Sequence, residues 1–160
     1  MEIQTTINMS KRTMDELNQA SITLQLSRTN IIRLLIKQFL EDQNEVEILK
    51  SPVKYQERDS VSQWAKFHIT LREDEYELCL DLRKVYKMSL SLIIALAISK
   101  YLKNIHFLIN HKSTEEITDN YLFHNYYFSF NLKNGVRKIQ IYWGFTNPEI
   151  ILTDNYPNII

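Results

Sequence analysis

The sequence predicts an α+β fold that is mainly helical and contains a small amount of β-structure. The first observation is an internal repeat: when the chain is shifted by 62 positions, residues 3–40 align without a gap with residues 65–102, and their apolar positions coincide. The second is that each copy has the pattern of a strand followed by two helices. A copy of about 40 residues is too small to bury a stable core alone. We therefore expect the two copies to pack against each other.

The first copy begins with residues 3–9, which alternate between apolar and polar side chains as a half-buried strand does. Ser10 is a candidate N-cap for a first helix, in which apolar residues recur at helical spacing. After a break near Gln25, Ser27 is a candidate N-cap for a second helix over residues 28–39. The apolar face of this second helix is wide, which is typical of a helix buried between partners.

The second copy has the same order of elements. Residues 65–71 alternate as a strand, the acidic residues 73–75 suit the first turn of a helix, and Ser89 precedes an apolar helix that reaches about residue 102. Between the copies, residues 43–64 are polar, include Pro52 and are interpreted as a linker. An extended segment of that length spans up to roughly 70 Å, so it can connect one helix to the next strand.

The C-terminal part is a different kind of sequence. Asn134 and Gly135 lie between two alternating runs, which is the strongest short-range signal of a β-hairpin. With those two residues as the loop, the apolar face of the hairpin pairs Phe130 with Ile139, Phe128 with Ile141 and Tyr126 with Trp143. Residues 150–152 are a candidate third strand. The predicted organisation is a first copy (1–42), a linker (43–64), a second copy (65–104) and a β-rich extension (105–160).

The amino-acid composition limits the classes of function that the protein can have. The chain has 19 basic and 19 acidic residues, so its net charge neither requires nor excludes nucleic-acid binding. A local patch of basic residues would be enough for such binding. Two glycines in 160 residues exclude a glycine-rich phosphate loop. We expect a cytoplasmic protein without a membrane span. No apolar run is long enough to cross a bilayer, no secretory signal is present, and the single cysteine cannot form an internal disulfide.

Nothing in the sequence indicates an enzyme. The histidines at 106, 111 and 124 fit no metal-ligand spacing, and no nucleophile stands in a recognisable arrangement with a base. Cys79 occupies an apolar helix position, where a thiol packs as a small hydrophobic group. We therefore expect no catalytic residue, no bound metal and no cofactor.

Two short motifs in each copy carry a family resemblance. In the first copy they are Thr-Thr-Ile-Asn-Met at residues 5–9 and Leu-Ser-Arg-Thr-Asn-Ile-Ile-Arg at residues 26–33. In the second they are Phe-His-Ile-Thr-Leu at residues 67–71 and Ser-Leu-Ser-Leu-Ile-Ile at residues 89–94. Together with the order strand, helix, helix, these motifs resemble the ribbon-helix-helix DNA-binding proteins of the Arc/MetJ/CopG superfamily. The glycine usual between the two helices of that family is absent from both copies.

The resemblance implies an antiparallel ribbon of two strands that lies in the major groove of double-stranded DNA. Because one chain supplies both copies, we predict a tandem ribbon-helix-helix pseudo-dimer, with exchange of strands between chains as the alternative. Alternation directs the candidate base-reading side chains outward, in the pairs Gln4 with Thr70, Thr6 with His68, and Asn8 with Lys66. The resemblance also implies phosphate contacts at the amino ends of the second helices, from Ser27, Arg28, Thr29, Ser89 and Ser91.

These residues favour a DNA-binding regulator, such as a repressor or a maintenance factor of a plasmid or mobile element, that self-associates through its C-terminal extension. Three alternatives stay open. An antitoxin would also hold a toxin partner, a ligand-sensing regulator would need a pocket, and a protein-interaction module would make no DNA contact. Zero net charge, and Leu90 at the position that matches Arg28, favour the interaction module. Polar outward residues are also typical of a solvated strand, and Ser27 and Ser89 are helix caps in any case.

Overall fold

The computed structural model describes residues 2–42, 45–47, 52–58, 63–110, 126–133 and 136–143. The fold is α+β, as the sequence predicts, and its described residues form one two-stranded and one three-stranded antiparallel sheet. The elements are β1 (Glu2–Ser10), α1 (Lys11–Leu24), α2 (Arg28–Asp42), β2 (Glu45–Glu47), β3 (Trp64–Arg72), α3 (Glu73–Tyr86), α4 (Leu90–Tyr101), a 3₁₀ turn (Leu102–Asn104), α5 (Ile105–Asn110), β4 (Tyr126–Lys133) and β5 (Val136–Trp143).

The two copies share one skeleton. Strand β3 and helix α3 begin and end 62 positions after β1 and α1, and α4 begins 62 positions after α2. Helix α4 ends at Tyr101, and the 3₁₀ turn then continues to Asn104, the position that matches the last residue of α2. The internal repeat of the sequence is therefore also a repeat of secondary structure.

Three serines cap helices, as predicted. Ser10, Ser27 and Ser89 each accept a side-chain hydrogen bond from the backbone N–H three residues further on, at 3.1, 3.1 and 3.2 Å. Each bond satisfies one of the N–H groups that the first turn of a helix leaves without an intrahelical partner. The caps determine where α1, α2 and α4 begin. They therefore determine where α2 and α4, the second helices of the two copies, start relative to the strands.

The turns between paired helices reach the left-handed conformation without glycine. Gln25 has φ 54° and Lys87 has φ 53°, at positions that match under the 62-residue shift. A left-handed conformation costs an L-residue roughly 1–2 kcal/mol, which is why glycine is common immediately after a helix. The missing glycines leave the turn geometry intact, and each turn is a local source of instability.

One buried hydrophobic cluster joins the two copies. The inward side chains of β1 and β3 take part in it as alternation predicts: Ile7, Met9, Phe67, Ile69 and Leu71 are buried, and Thr5 is half-buried. Helices α2 and α4 pack against each other, and most of their buried residues belong to the same cluster: Ile31, Ile32, Leu35, Ile36, Phe39 and Leu40 of α2, and Ile93, Ile94, Ala97 and Ile98 of α4. Neither copy has a core of its own, because the interior is shared.

This packing accounts for part of the apolar character of α4, since its buried residues belong to the shared cluster while Leu96 is 39% exposed. Among the described residues, Leu90–Phe107 is one stretch long and apolar enough to cross a membrane by length and composition alone, with a mean hydropathy of 1.2. Core helices of other proteins meet the same criterion, and the apolar residues of α4 that face α2 are buried in the shared cluster.

The second sheet has the strand order β2-β5-β4. Phe128 lies opposite Ile141 and Phe130 opposite Ile139, the register predicted for a two-residue loop at 134–135. Ile139 is buried in the same cluster as the helices. Strand β2 lies in the segment predicted as a linker, where three residues are too few to show alternation. Residues 134–135 and the candidate strand at 150–152 lie outside the described residues.

Candidate nucleic-acid interface

Strands β1 and β3 pair antiparallel within one chain and form a two-stranded ribbon, in the register expected from the sequence. The outward pairs are Thr6 with His68 at the centre, Gln4 with Thr70 on one side and Asn8 with Lys66 on the other. Because Thr6 and His68 are themselves 62 positions apart, an approximate twofold axis through this pair relates the two copies. Pairing within the chain is the arrangement that the structure has.

Backbone contacts identify the outward residues as non-hydrogen-bonded pairs. Asn8 N–H donates to Ser91 Oγ at 3.1 Å, and Asn8 C=O accepts from Gln56 Nε2 at 2.7 Å. Both backbone groups of Asn8 therefore have partners away from β3, and alternate residues of the strand share that orientation. Opposed side chains come closest in pairs of this kind. At the centre, Thr6 Oγ1 and His68 Nδ1 are hydrogen-bonded at 3.1 Å.

The outward face of the ribbon is polar and mostly open to solvent. Five of the six predicted base-reading side chains are exposed and the sixth, Asn8, is half-buried. The exposed five are Gln4, Thr6, Lys66, His68 and Thr70. All six together present two amides, two hydroxyls, an imidazole and one ammonium group. This set offers hydrogen-bond donors and acceptors in two rows that follow the strands.

At the N-terminus of α2, an arginine lies across β3. The guanidinium carbon of Arg28 is 4.7 Å from the ring centroid of Phe67, and its Nη1 donates to Asn18 Oδ1 at 3.2 Å. These contacts hold an exposed cation beside the capped end of α2, next to Ser27 and Thr29. A helix N-terminus carries partial positive charge. The three predicted anchors of the first copy therefore form one corner that favours anions.

The N-terminus of α4 is built differently. Leu90 stands where α2 has Arg28, so this helix end lacks the arginine. The hydroxyl of Ser91, predicted as a phosphate anchor, accepts the Asn8 N–H and so ties α4 to β1. Ser89 keeps its role as the cap of α4. Of the two predicted anchors of the second copy, Ser91 thus holds the helix to the ribbon and Ser89 caps the helix.

Residues 52–58, which were predicted to be part of a linker, add contacts at the N-terminus of α4, the second corner of the ribbon. Lys54 N–H donates to Lys87 C=O at 2.7 Å, and Ser89 N–H donates to Lys54 C=O at 2.8 Å. The exposed side chain of Lys54 therefore starts beside the N-terminus of α4. Gln56 reaches the outer edge of β1 through its bond to Asn8. No local pattern could have predicted these contacts, because they join a polar segment to residues more than thirty positions away.

A groove of about 350 Å³ lies beside β1 on the second-copy side. Tyr55, Arg83 and Leu90 are among the residues that line it, and Arg83 Nη2 donates to the Tyr55 hydroxyl at 3.2 Å. On the first-copy side the matching residue is Arg28, which lies over Phe67. A leucine is too short to cross the strand in the same way. The groove therefore lies on the side of the ribbon that has a leucine in place of the arginine.

The single cysteine and the candidate metal ligands can be assessed within the described residues. Cys79 is buried, and burial, with a smaller contribution from the charge of Glu75, raises the pKa of its thiol to about 12. A protonated, buried thiol is a poor nucleophile. Within the described ranges, no group of three or more histidine, cysteine or acidic side chains is placed to hold a metal ion. His111 and His124 lie outside those ranges.

Comparisons of the chain with protein families, with curated proteins and with solved structures found no match.

Proposed function

We propose that this protein binds double-stranded DNA in a sequence-specific way, as a tandem ribbon-helix-helix unit whose two copies come from one chain. The observation that carries the proposal is the ribbon itself: its outward face is a set of opposed polar side chains, and its inward face is buried. A two-stranded ribbon has dimensions that the major groove of B-DNA admits. In the cell, the protein would act as a cytoplasmic bacterial regulator such as a repressor.

The outward side chains suit the edges of bases. The amides of Gln4 and Asn8 can each make paired hydrogen bonds to adenine, and the ammonium group of Lys66 can donate to the acceptors of guanine. The methyl groups of threonine can contact the methyl group of thymine. A good paired contact is worth about 1–3 kcal/mol of discrimination against the wrong base.

The two strands would read different sequences. The outward residues of β1 are Gln4, Thr6 and Asn8, whereas those of β3 are Lys66, His68 and Thr70. A homodimer presents the same residues twice and therefore recognises a palindrome. A ribbon with two different strands instead predicts an asymmetric site.

Contacts to the DNA backbone would also be unequal. The first corner combines the α2 N-terminus with Arg28 and is the stronger candidate for a phosphate contact. The second corner has the α4 N-terminus with Lys54, which belongs to residues 52–58 and not to the helix. We expect the C-terminal sheet to mediate self-association, so that several units occupy neighbouring sites.

A protein-interaction module is the second candidate function. It is favoured by the hydrogen bond between Thr6 and His68, which occupies the two side chains at the centre of the ribbon, and by the use of Ser91 within the protein. In that case the outward face would contact a protein partner. The two candidates differ in their response to salt, because phosphate contacts release condensed counterions when they form.

Binding to a randomised duplex library, followed by selection and sequencing, tests the proposal. We expect a recoverable sequence and an affinity that falls steeply with salt concentration. Asn8→Ala and Lys66→Ala should each relax the preference at a small number of positions, in the same half of the selected site, because the two residues lie opposite each other at one end of the ribbon. Lys103→Ala is the matched control for the loss of a positive charge. Lys103 follows the far end of α4, a helix of 12 residues whose first turn contacts β1.

The selection also separates the two candidates. If the chain enriches no sequence, and its affinity for duplex DNA at low salt is no higher than at high salt, DNA binding is excluded. The interaction module is then the better explanation. If both ribbon variants leave the selected sequence unchanged, the residues assigned to base reading are wrong even though the protein binds DNA.

A further inference from the structure

A pocket of about 370 Å³ lies between α1 and the end of α4, and we call it the α1 pocket. Its lining residues belong to α1, α4, the 3₁₀ turn and α5, and not to the ribbon. Its floor is aliphatic, since Ile98 and Ile105 are buried and Ala20, Leu24 and Leu102 are half-buried. Small-molecule sites occupy roughly 300–1,000 Å³ and are mostly apolar with a few polar groups. The α1 pocket therefore has the size and the floor of a small site of this kind.

Helix α3 has apolar side chains at the positions that match the α1 wall of the pocket. Under the 62-residue shift the pairs are Glu16 with Leu78, Ala20 with Leu82, Thr23 with Val85 and Leu24 with Tyr86. All four of the α3 residues are buried. The ring of Tyr86 also contacts that of Phe39 near the end of α2, with the ring centroids 5.5 Å apart. The α1 pocket therefore lies on the side of the molecule where the first helix has the smaller or more polar residues.

The charged groups at the rim of the α1 pocket favour a ligand with a single negative charge. On the α1 wall, the carboxylate of Glu16 is paired with Arg12 at 3.1 Å. Lys103 and His106 lie on the wall formed by the 3₁₀ turn and α5, and both are exposed. Among the described residues, neither of these two has a charged partner. One ammonium group and one imidazole suit a carboxylate better than a dianion such as phosphate, because Glu16 would repel further negative charge.

We propose that the α1 pocket binds a small molecule that has an aliphatic body and a single carboxylate group. The body lies on the aliphatic floor, where the burial of methylene groups is favourable. The carboxylate lies at the rim, where Lys103 Nζ and a ring N–H of His106 donate hydrogen bonds to it. The ligand contacts α1 of the first copy and α4 of the second, and so stabilises their packing. Because the ribbon contributes no residue to the pocket, this binding is independent of the proposed contact with DNA.

Sodium hexanoate is the probe for this site, and hexan-1-ol is its uncharged counterpart. The full-length, isotope-labelled protein is titrated with each compound, and binding is followed by the chemical shifts of its backbone amides. We expect hexanoate to bind saturably with a Kd on the order of 1 mM, as is usual for a ligand of about eight non-hydrogen atoms. The largest shifts should fall in residues 16–24 and 98–106, which include the pocket lining. Hexan-1-ol should bind at least about threefold more weakly, because it lacks the charge that Lys103 attracts.

Two pocket variants and one control locate the site. Ala20→Leu introduces the residue that α3 has at the matching position, and its larger side chain should fill the floor and weaken hexanoate binding at least about tenfold. Lys103→Ala should weaken hexanoate binding by about three- to fivefold and leave the binding of hexan-1-ol unchanged. Lys84→Ala is the matched control for the loss of a positive charge. The Lys84 side chain is 78% exposed and lies on α3, outside the pocket, so the control should bind both compounds as the parent does.

Three results would overturn the proposal. The first is the absence of saturable shifts up to about 10 mM hexanoate, or shifts centred outside the pocket. The second is equal affinity for hexanoate and hexan-1-ol, which would mean that the rim selects no anion. The third is an Ala20→Leu variant that binds hexanoate as tightly as the parent protein. If that variant does not fold, the position of the shifts and the effect of Lys103→Ala decide the outcome.

Discussion

The two copies have matching skeletons and differ on their surfaces. Their strands, first helices, left-handed turns and many of their buried positions coincide under one shift of 62 residues. The residues at the corners of the ribbon do not, since Arg28 matches Leu90 and only the second copy carries the contacts of residues 52–58. The comparison teaches that the shared interior holds the backbone of both copies in the same form. Substitutions outside the shared interior can then make the two sides of one ribbon chemically different.

The largest expected effects test whether the two copies form one core. Ile31 and Ile93 occupy matching positions in α2 and α4, and both are 0% exposed. We expect Ile31→Ala and Ile93→Ala each to lower the free energy of unfolding by about 2–5 kcal/mol, with a single transition in chemical denaturation. A second transition in either variant, with one copy still folded, would contradict a shared core.

The next largest effect concerns the two corners of the ribbon and rests on the proposed DNA binding. Arg28→Leu makes the first corner resemble the second, and Leu90→Arg does the reverse. If each arginine contacts one phosphate, the substitutions should respectively weaken and strengthen binding by about 1.5–3 kcal/mol. They should also change the slope of affinity against salt by about one unit in opposite directions. Equal slopes in both variants would show that Arg28 serves only to cover Phe67.

The left-handed turns should respond alike in both copies. Gln25→Gly and Lys87→Gly remove the conformational penalty of a side chain at positive φ, so each should raise the free energy of unfolding by about 1 kcal/mol. Alanine at the same positions retains a Cβ atom and should give no such gain. A loss of stability with glycine in one copy alone would mean that the matching turns carry different strain.

The smallest effect compares the ends of the second helices. Tyr101 matches Phe39, and its hydroxyl donates to Asp42 at 2.6 Å. That bond is the main cause of a lowered Asp42 pKa. Partial burial opposes the shift, and Gln38 and Lys100 add smaller contributions in the same direction as the bond. Tyr101→Phe should therefore cost less than about 1 kcal/mol at neutral pH, because the carboxylate is partly exposed.

The sign of the pH dependence follows from that lowered pKa. A carboxyl group whose pKa is lower in the folded state adds stability above its unfolded pKa, and this stability is lost as the pH falls through the folded value. The difference between the parent protein and Tyr101→Phe should shrink as the pH falls below the ordinary carboxyl value of 3.8. A difference that is constant from neutral to acid pH would assign the effect to packing.

The structure could be predicted from the sequence wherever a pattern of residues repeats. Alternation predicted the buried face of both strands, and the small size of each copy predicted that the two copies pack together. The pairing of the two strands was predicted from the family resemblance. The offset of 62 then placed Thr6 opposite His68. The hairpin register followed from the Asn-Gly loop signal. These features depend on local periodicity, which is readable from one chain.

Contacts that are present in only one of the two copies could not be predicted from the sequence. Residues 52–58 are polar and have no counterpart in the other copy, so nothing indicated that Lys54 pairs with residues 87–89. Arg33 and Glu75 lie 42 positions apart, and their ion pair appears only once the two copies are packed together. The engagement of Ser91 by Asn8 has the same origin, because it depends on how α4 meets the edge of β1.

The symmetry of the selected DNA site tests the central claim most directly. The variant Lys66→Gln, His68→Thr, Thr70→Asn gives the second strand the outward residues of the first. We predict that the parent protein selects an asymmetric sequence and that this triple variant selects an inverted repeat. A palindromic site for the parent, or the same site for both proteins, would contradict reading by the two unlike strands of one chain.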